Sequence, residues 1–408
     1  MKTPIHQNKF GMFIHWGLYS VLGLHEQAEA RYNIPAEEYE GLMHRFNPTA
    51  YDPEKWVLLA KSAGMKYICF TAKHHDGFCM WDTKETDYNV MNTPYGKDVL
   101  LMLSDACEKH GMLLSIYYSN PDWHHPYGYN PASTHQWAAK YKDMVDTEKY
   151  REFIKRQITE LLTNYGPIYT FFWDIPPKIE DGSVNALVRS LQPDILINDR
   201  GFSEGDFSTP EREFADGGYS RFTRMTEACN SLGAQSWGYR ANEDFYSKRH
   251  LLSAIDRYMS LGASYLLNVG PDGEGVITKE YADRLTAIGD WYRRMEGCLE
   301  CNQADPFAYS IVASPGHVAC TKNGKTYLHF YNGLITNAII LKAYPGEPKR
   351  VRLMNTGKTL RHEICYLPDL YKGTAESCSD TCLHICGIDV DLLASEPIVI
   401  EIEWRGKA

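Results

Sequence analysis

At 408 residues, with 44% hydrophobic and 23% charged side chains, the chain has ordinary globular composition and length for more than one domain. A formal charge of −10 without any Lys/Arg run argues against nucleic acid or an anionic membrane as partner. No stretch approaches the roughly 18 apolar residues of a membrane span, and "MKTPIHQNKFGMFIHWG" carries no apolar leader core, so a cytoplasmic location is expected.

From residue 10 to about residue 295 one unit recurs: a short apolar run ending in polar residues, then an amphipathic helix. "FGMFIHWG" predicts a first strand ending at His15 and Trp16, followed by the helix "EKWVLLAKSAG". "KYICFTAKHHDGF" predicts a strand that buries Tyr67 to Phe70 and then presents Lys73, His74, His75 and Asp76. After the helix "VLLMLSDACEKHG", "MLLSIYYSNPDW" ends in Tyr118, Asp122 and Trp123. The helix "EKYREFIKRQITELLTNYG" leads to "IYTFFWDI", an aromatic strand delivering Asp174. "VNALVRSLQ" and "DILINDRG" supply a helix and a strand ending in Asn198 and Arg200. Arg200 to Lys248 is rich in Gly, Ser and Asp and shows no helix. Then come the helix "KRHLLSAIDRYMSLG", the strand "ASYLLNVGPDG" with Asn268, and the helix "KEYADRLTAIGDWYRRMEG".

Continuous apolar strands alternating with helices imply a parallel sheet covered on both faces. Six or seven such units predict an α/β domain over residues 1–302, a distorted (β/α)8-like, TIM-type barrel. A doubly wound sheet is the rival, but no Gly-rich phosphate loop follows any strand. Beyond Cys301, short alternating strands with Asn-Gly and Thr-Gly turns predict a C-terminal antiparallel β-sandwich over 303–408. The 11 cysteines have no paired zinc spacing and read as reduced core thiols.

In such a barrel the working residues sit at the carboxyl ends of the strands. Those ends carry His15, His74 and His75, Tyr118 with Trp123, Asp174, Arg200 and Asn268. Asp174 stands out, because a carboxylate at the end of an apolar strand needs a partner or a task. Acid–base work needs a second carboxylate, and Glu211, Glu213 and Glu227 all fall in the irregular stretch. The histidines suit either a metal or the hydroxyls of a sugar. The aromatics Trp16, Tyr118, Trp123, Trp173 and Trp237 favour the sugar, whose C–H faces stack on rings.

The motifs "FGMFIHWGLYS", "AGMKYICFTAKHHDGFCMWD", "YYSNPDWHH", "FFWD", "LINDRG", "GDFSTPE", "SWGY" and "LLNVGPDGEG" resemble, in order, those of glycoside hydrolase family 29, the α-L-fucosidases. The resemblance implies a retaining exo-glycosidase that releases terminal α-L-fucosyl residues from oligosaccharides or glycoconjugates without metal or cofactor. Asp174 would be its nucleophile and Glu211 its acid/base. His15, Glu26, His74, His75, Tyr118, Arg200 and Trp237 would bind the sugar, with Trp123 added on its aromatic character. Gln27 stands where many members carry Trp. The alternatives are a metal-dependent barrel hydrolase using His74, His75 and His124 or His125, and a carbohydrate-binding homologue without catalysis.

Overall fold

The computed structural model of the chain describes residues 7–212, 221–295, 297–301, 303–307, 309–312, 316–366 and 381–405. Strands β1 (Phe10–Ile14), β2 (Tyr67–Lys73), β3 (Leu113–Ser119), β4 (Ile168–Asp174), β5 (Leu196–Ile197), β6 (Glu227–Ser231) and β7 (Ser264–Val269) form one sheet, in the order β5-β4-β3-β2-β1-β7-β6. Every neighbouring pair is parallel.

The gap between β5 and β6 is spanned by the irregular stretch, whose described residues contain no helix but do form a ladder. Asn198 bridges Phe207, Ser208 bridges Thr226 and Glu211 bridges Cys229, all in parallel sense. Phe207–Glu211 thus runs between β5 and β6 as an eighth, irregular element and closes the barrel. β6 itself, "EACNS", reads as a polar loop, yet all five of its residues are buried.

Successive strand residues point to opposite faces, and this parity decides what reaches the barrel axis. Phe13, Tyr67, Cys69, Tyr117, Phe172, Cys229 and Leu266 pack together inside. One step along, Tyr118 faces the helix layer and donates to Gln157 Oε1 (2.6 Å) on the helix Thr147–Asn164. Trp173 likewise donates to Asn185 Oδ1 (3.1 Å) on the helix Gly182–Leu191. The helices start cleanly: Asp52, Asp98, Asp146 and Asp181 each accept a first-turn N–H, a cap that typically contributes ~1 kcal/mol.

Beneath the His74–His75 loop lies a buried ion pair. Lys73 is fully buried, donates to Asp122 Oδ2 (2.8 Å), and sits 4.4 Å from the centre of the Tyr118 ring. Asp122 Oδ1 accepts the backbone N–H groups of His124 and His125. Gly77 closes the loop with φ 79°; a Cβ there would lie 2.2 Å from Asp122 Oδ1. Lys73→Ala would leave the Asp122 charge buried and unpaired, which costs about 3–5 kcal/mol. A clearly lower midpoint of thermal unfolding is expected, whereas the paired change Lys73→Met with Asp122→Asn should cost less than the two single changes together.

The C-terminal strands form two antiparallel sheets. β8 (Gln303–Ala304), β10 (Val318–Lys322), β11 (Lys325–Phe330), β13 (Pro348–Leu353) and β16 (Ile398–Trp404) make one; β9 (Ser310–Val312), β12 (Ala338–Ala343), β14 (Arg361–Tyr366) and β15 (Thr381–Cys386) make the other. Leu328, Val351 and Ile400 of the first share a core with Ile339, Leu341, Leu383 and Ile385 of the second, as a sandwich requires.

The chain divides into two compact units, and the division differs from a break at 302/303. The second unit takes not only both antiparallel sheets but also the helix Lys248–Ser260 and the part of helix Lys279–Met295 from residue 287 onward. The reason for the first of these is side-chain pairing: Asp256 Oδ1 meets His329 Nδ1 of β11 at 2.8 Å, both fully buried, and Ser253 donates to the Tyr331 carbonyl. The described cysteines are thiols, most of them buried; Cys378 and Glu213 lie outside the described residues.

Candidate active site

Asp174 is the last residue of β4 and faces the barrel axis, two positions beyond Phe172. Its Oδ2 accepts from the Tyr117 hydroxyl (2.6 Å) and lies 3.8 Å from His75 Nε2. Its Oδ1 accepts from Arg200 at 3.1 Å. Burial alone would raise the carboxyl's pKa, but Arg200, His75 and the Tyr117 hydrogen bond outweigh it and hold the group below its ordinary value.

Glu211 arrives on the barrel-closing stretch. Its backbone is fixed against β6 by Cys229 N–H to Pro210 O and Arg212 N–H to Cys229 O, both 3.0 Å. The same Arg200 nitrogen that holds Asp174 donates to Glu211 Oε1 at 2.6 Å, and Arg200 also donates to the Thr209 carbonyl. One guanidinium therefore joins both carboxylates, which stand within two hydrogen-bond lengths of it and of each other. Desolvation by the pocket walls raises the Glu211 pKa; Arg200 opposes that, the charge on Asp174 adds to it, and the net shift is upward although the side chain is 43% exposed. The two acids are pushed in opposite directions.

A cavity of about 340 Å³ opens over this pair, lined among others by His15, Glu26, His74, His75, Tyr117 and Trp237. His15 Nδ1 meets Asn268 Oδ1 (2.7 Å), and Asn268 in turn donates to the Trp237 carbonyl (2.6 Å). His75 Nδ1 meets Ser119 Oγ at 2.7 Å. Burial lowers both imidazoles to about 4 and pushes His74 down as well, so all three are neutral at physiological pH and act as paired donors and acceptors. His74 Nδ1 is buried with no hydrogen-bond partner among the described residues. Glu26 Oε2 accepts from Ser236 Oγ, Trp237 N–H and Gly238 N–H, and so fixes the loop that presents Trp237.

Seven of the expected residues thus line one cavity, and Arg200 holds its two acids. Two do not. Tyr118 points to the helices, because Tyr117 has the inward parity. Trp123 lies behind His75, its ring 5.6 Å from the imidazole and its Nε1 donating to the His135 carbonyl. Trp16 and Trp173 are likewise buried away from the cavity. Tyr117, His25, Arg31, His135, Arg212 and Gln235 line it without having been singled out. The register of β3 against β4 places Tyr117 there: Ser119 pairs with Asp174, so position 117 shares its face.

Glu227 separates from Glu211. It sits inside the barrel, its Oε1 accepting from Tyr67 at 2.5 Å, and is not part of the cavity lining. Burial pushes its pKa up to about 7, against the Tyr67 hydrogen bond and Arg200. Between the ordinary glutamate value and about 7 the unfolded chain loses a proton that the folded one keeps, so stability falls as pH rises through that window, by up to ~1.4 kcal/mol per unit. Glu227→Gln is expected to flatten this decline, read as a smaller loss of thermal midpoint between pH 5 and 7.5. His124 pairs with Glu40 and His125 packs on Phe153, so neither joins His74 and His75. Among the described residues the group that brings three metal-type ligand atoms within 4.8 Å is Glu363, Cys365 and His384, in the C-terminal sheet.

The Alpha-L-fucosidase family profile matches residues 2–296. The chain belongs to the α-L-fucosidase family of glycoside hydrolases. Human tissue alpha-L-fucosidase is 27% identical over 320 residues, 69% of this chain and 66% of that one, so the match spans just under two thirds of that relative. Among solved α-L-fucosidases, isoenzyme 1 from Paenibacillus thiaminolyticus superposes with a TM-score of 0.82 at 30% identity, covering 98% of both chains. An α-L-fucosidase of Lactobacillus casei, solved with α-L-fucose product, superposes at 0.64 and 32% identity over 70% of this chain and 96% of its own. Fold and family agree across the barrel and, in the Paenibacillus structure, across the antiparallel sheets as well.

Proposed function

We propose that this protein is a retaining exo-α-L-fucosidase that removes terminal fucosyl residues from oligosaccharides or glycoconjugates through a covalent glycosyl–enzyme intermediate. The observation that carries the reading is the single guanidinium of Arg200 on both Asp174 and Glu211. It supports the close pair, about 5–5.5 Å apart, that a retaining glycosidase uses, and it favours an ionised Asp174. Asp174 attacks the anomeric carbon, the bond from that carbon to the leaving oxygen breaks, and Glu211 gives its proton to that oxygen. Glu211 then takes a proton from water, which attacks the same carbon and frees the Asp174 carboxylate. Tyr117 steadies Asp174 through its hydroxyl. The neutral imidazoles of His15, His74 and His75 exchange hydrogen bonds with sugar hydroxyls, and Trp237 offers an apolar face to the ring.

A panel of 4-nitrophenyl glycosides tests this. Turnover is expected on the α-L-fucoside, with α-L-fucose as the first product seen by NMR. First release of the β-anomer would overturn the retaining mechanism; turnover of another glycoside alone would overturn the sugar assignment.

A further inference from the structure

We infer that the mouth of this cavity is a subsite for an anionic group, a sulfate ester or a carboxylate, on the sugar that departs from the fucosyl residue. The inference rests on the fucosidase reading. The chain carries ten more acidic than basic side chains, yet two arginines that face the cavity, Arg31 and Arg212, make no ion pair among the described residues. Arg31 donates through Nε to Gln27 Oε1 (3.1 Å), and Arg212 donates to the Ala234 carbonyl (2.7 Å) while its guanidinium lies 4.6 Å from the centre of the Trp237 ring. Among the described residues no carboxylate lies within ion-pair distance, 4.0 Å, of either. Both charges, together with that of Arg240, act on His25 in the same wall.

The cavity's own acids are already engaged. Asp174 and Glu211 are held by Arg200, and Glu26 by Ser236 and two backbone N–H groups. Two guanidinium forks are thus left for a ligand, and a fork matches sulfate or carboxylate through paired hydrogen bonds. Position fixes which sugar is read. Arg212 directly follows the proposed proton donor in sequence, and both residues line the same cavity. Its backbone takes φ 47°, a left-handed conformation that side-chain-bearing residues seldom adopt. Such backbone persists where its surroundings enforce it, and it concentrates at ligand sites. Here the Arg212 N–H to Cys229 O bond and the Trp237 face enforce it.

The test uses α-L-fucosyl-N-acetylglucosamine in its 1→3 and 1→4 linkages with the 6-sulfate of each, the 1→6-linked disaccharide with its 3-sulfate, and the 1→3- and 1→4-linked fucosyl-glucuronic acids. In the linkage turned over, kcat/KM is expected to be ~10-fold or more higher for at least one anionic form than for the neutral one at low salt. The advantage should shrink at high salt and vanish in R31Q or R212Q. Sulfate and carboxylate arms tell the two sources apart. Calorimetry of the same ligands on D174N reads binding without turnover. Equal kcat/KM and equal affinity for neutral and anionic forms would overturn the subsite while leaving the fucosidase reading intact. Tighter anionic binding with no fucoside turned over by the wild type would overturn the fucosidase reading and keep the subsite.

Discussion

Replacing Asp174 with alanine is expected to lower kcat on 4-nitrophenyl α-L-fucoside by roughly four orders of magnitude, equivalent to ~5.5 kcal/mol of lost transition-state stabilisation. The size follows from the role: without Asp174 there is no group to form the glycosyl ester, and the remaining carboxylate stands with the leaving group. The vacated space is lined by Tyr117, Arg200 and His75, a donor-rich setting that suits a small anion. Azide should occupy it, attack the anomeric carbon directly and yield β-fucosyl azide, restoring part of the turnover. The fold should survive, because the β4 backbone is clamped independently of the carboxylate. Asn198 bonds the N–H and carbonyl of Trp173, and the Asn120 amide donates to the carbonyls of Asp174 and Ile175. A D174A protein with an unchanged thermal midpoint and unchanged kcat would remove the nucleophile assignment.

What the sequence reveals and conceals here follows from where each residue's partners lie. β4 is legible because "IYTFFWD" is apolar on both faces and ends abruptly in a charge. β6 is not legible: "EACNS" is polar by composition, and only the Tyr67 hydroxyl, 160 positions away in sequence, makes Glu227 tolerable inside the barrel. Glu211 reads as a loop acid for the same reason, since the ladder that turns its loop into a barrel element is backbone hydrogen bonding, blind to side-chain type. Tyr117 and Tyr118 are chemically identical neighbours, and only the register of β3 against β4 tells them apart. The helix Lys248–Ser260 is amphipathic whichever layer it covers, and its assignment to the sandwich rests on long-range partners, the buried pair of Asp256 with His329 and the Ser253 bond to the Tyr331 carbonyl. Left-handed backbone is hidden as well. Ile175 at φ 57° and His135 at φ 59° line the cavity beside Arg212, and a β-branched residue in that conformation is rare. No local signal announces it; the Asn120 clamp on the Ile175 carbonyl holds it.

The second large effect belongs to Glu211 and depends on what is being cleaved. For a disaccharide, whose leaving oxygen needs a proton, Glu211→Ala should reduce kcat/KM by about 10²–10⁴-fold, the usual contribution of a positioned general acid. For 2,4-dinitrophenyl α-L-fucoside, whose leaving group departs as a stable anion, glycosyl–enzyme formation should fall far less, so that the loss appears in the second half-reaction and is relieved by azide. The pH profile carries the same information. Activity should rise as Asp174 ionises, below the ordinary aspartate range because Arg200, His75 and Tyr117 outweigh its burial. It should fall as Glu211 loses its proton, above the ordinary glutamate range because burial and the Asp174 charge outweigh Arg200. The shifts point outward from the ordinary carboxylate range, so they widen the window in which one acid is ionised and the other protonated. In Glu211→Ala the alkaline limb should disappear while the acid limb stays in place. Glu227→Gln offers the contrast, since Glu227 meets Tyr67 inside the barrel rather than the cavity: its leaving-group dependence should match the wild type. If Glu227→Gln showed the steep leaving-group dependence and Glu211→Ala did not, the proton would have to travel from the barrel interior, and the role assigned to the closing stretch Phe207–Glu211 would be lost.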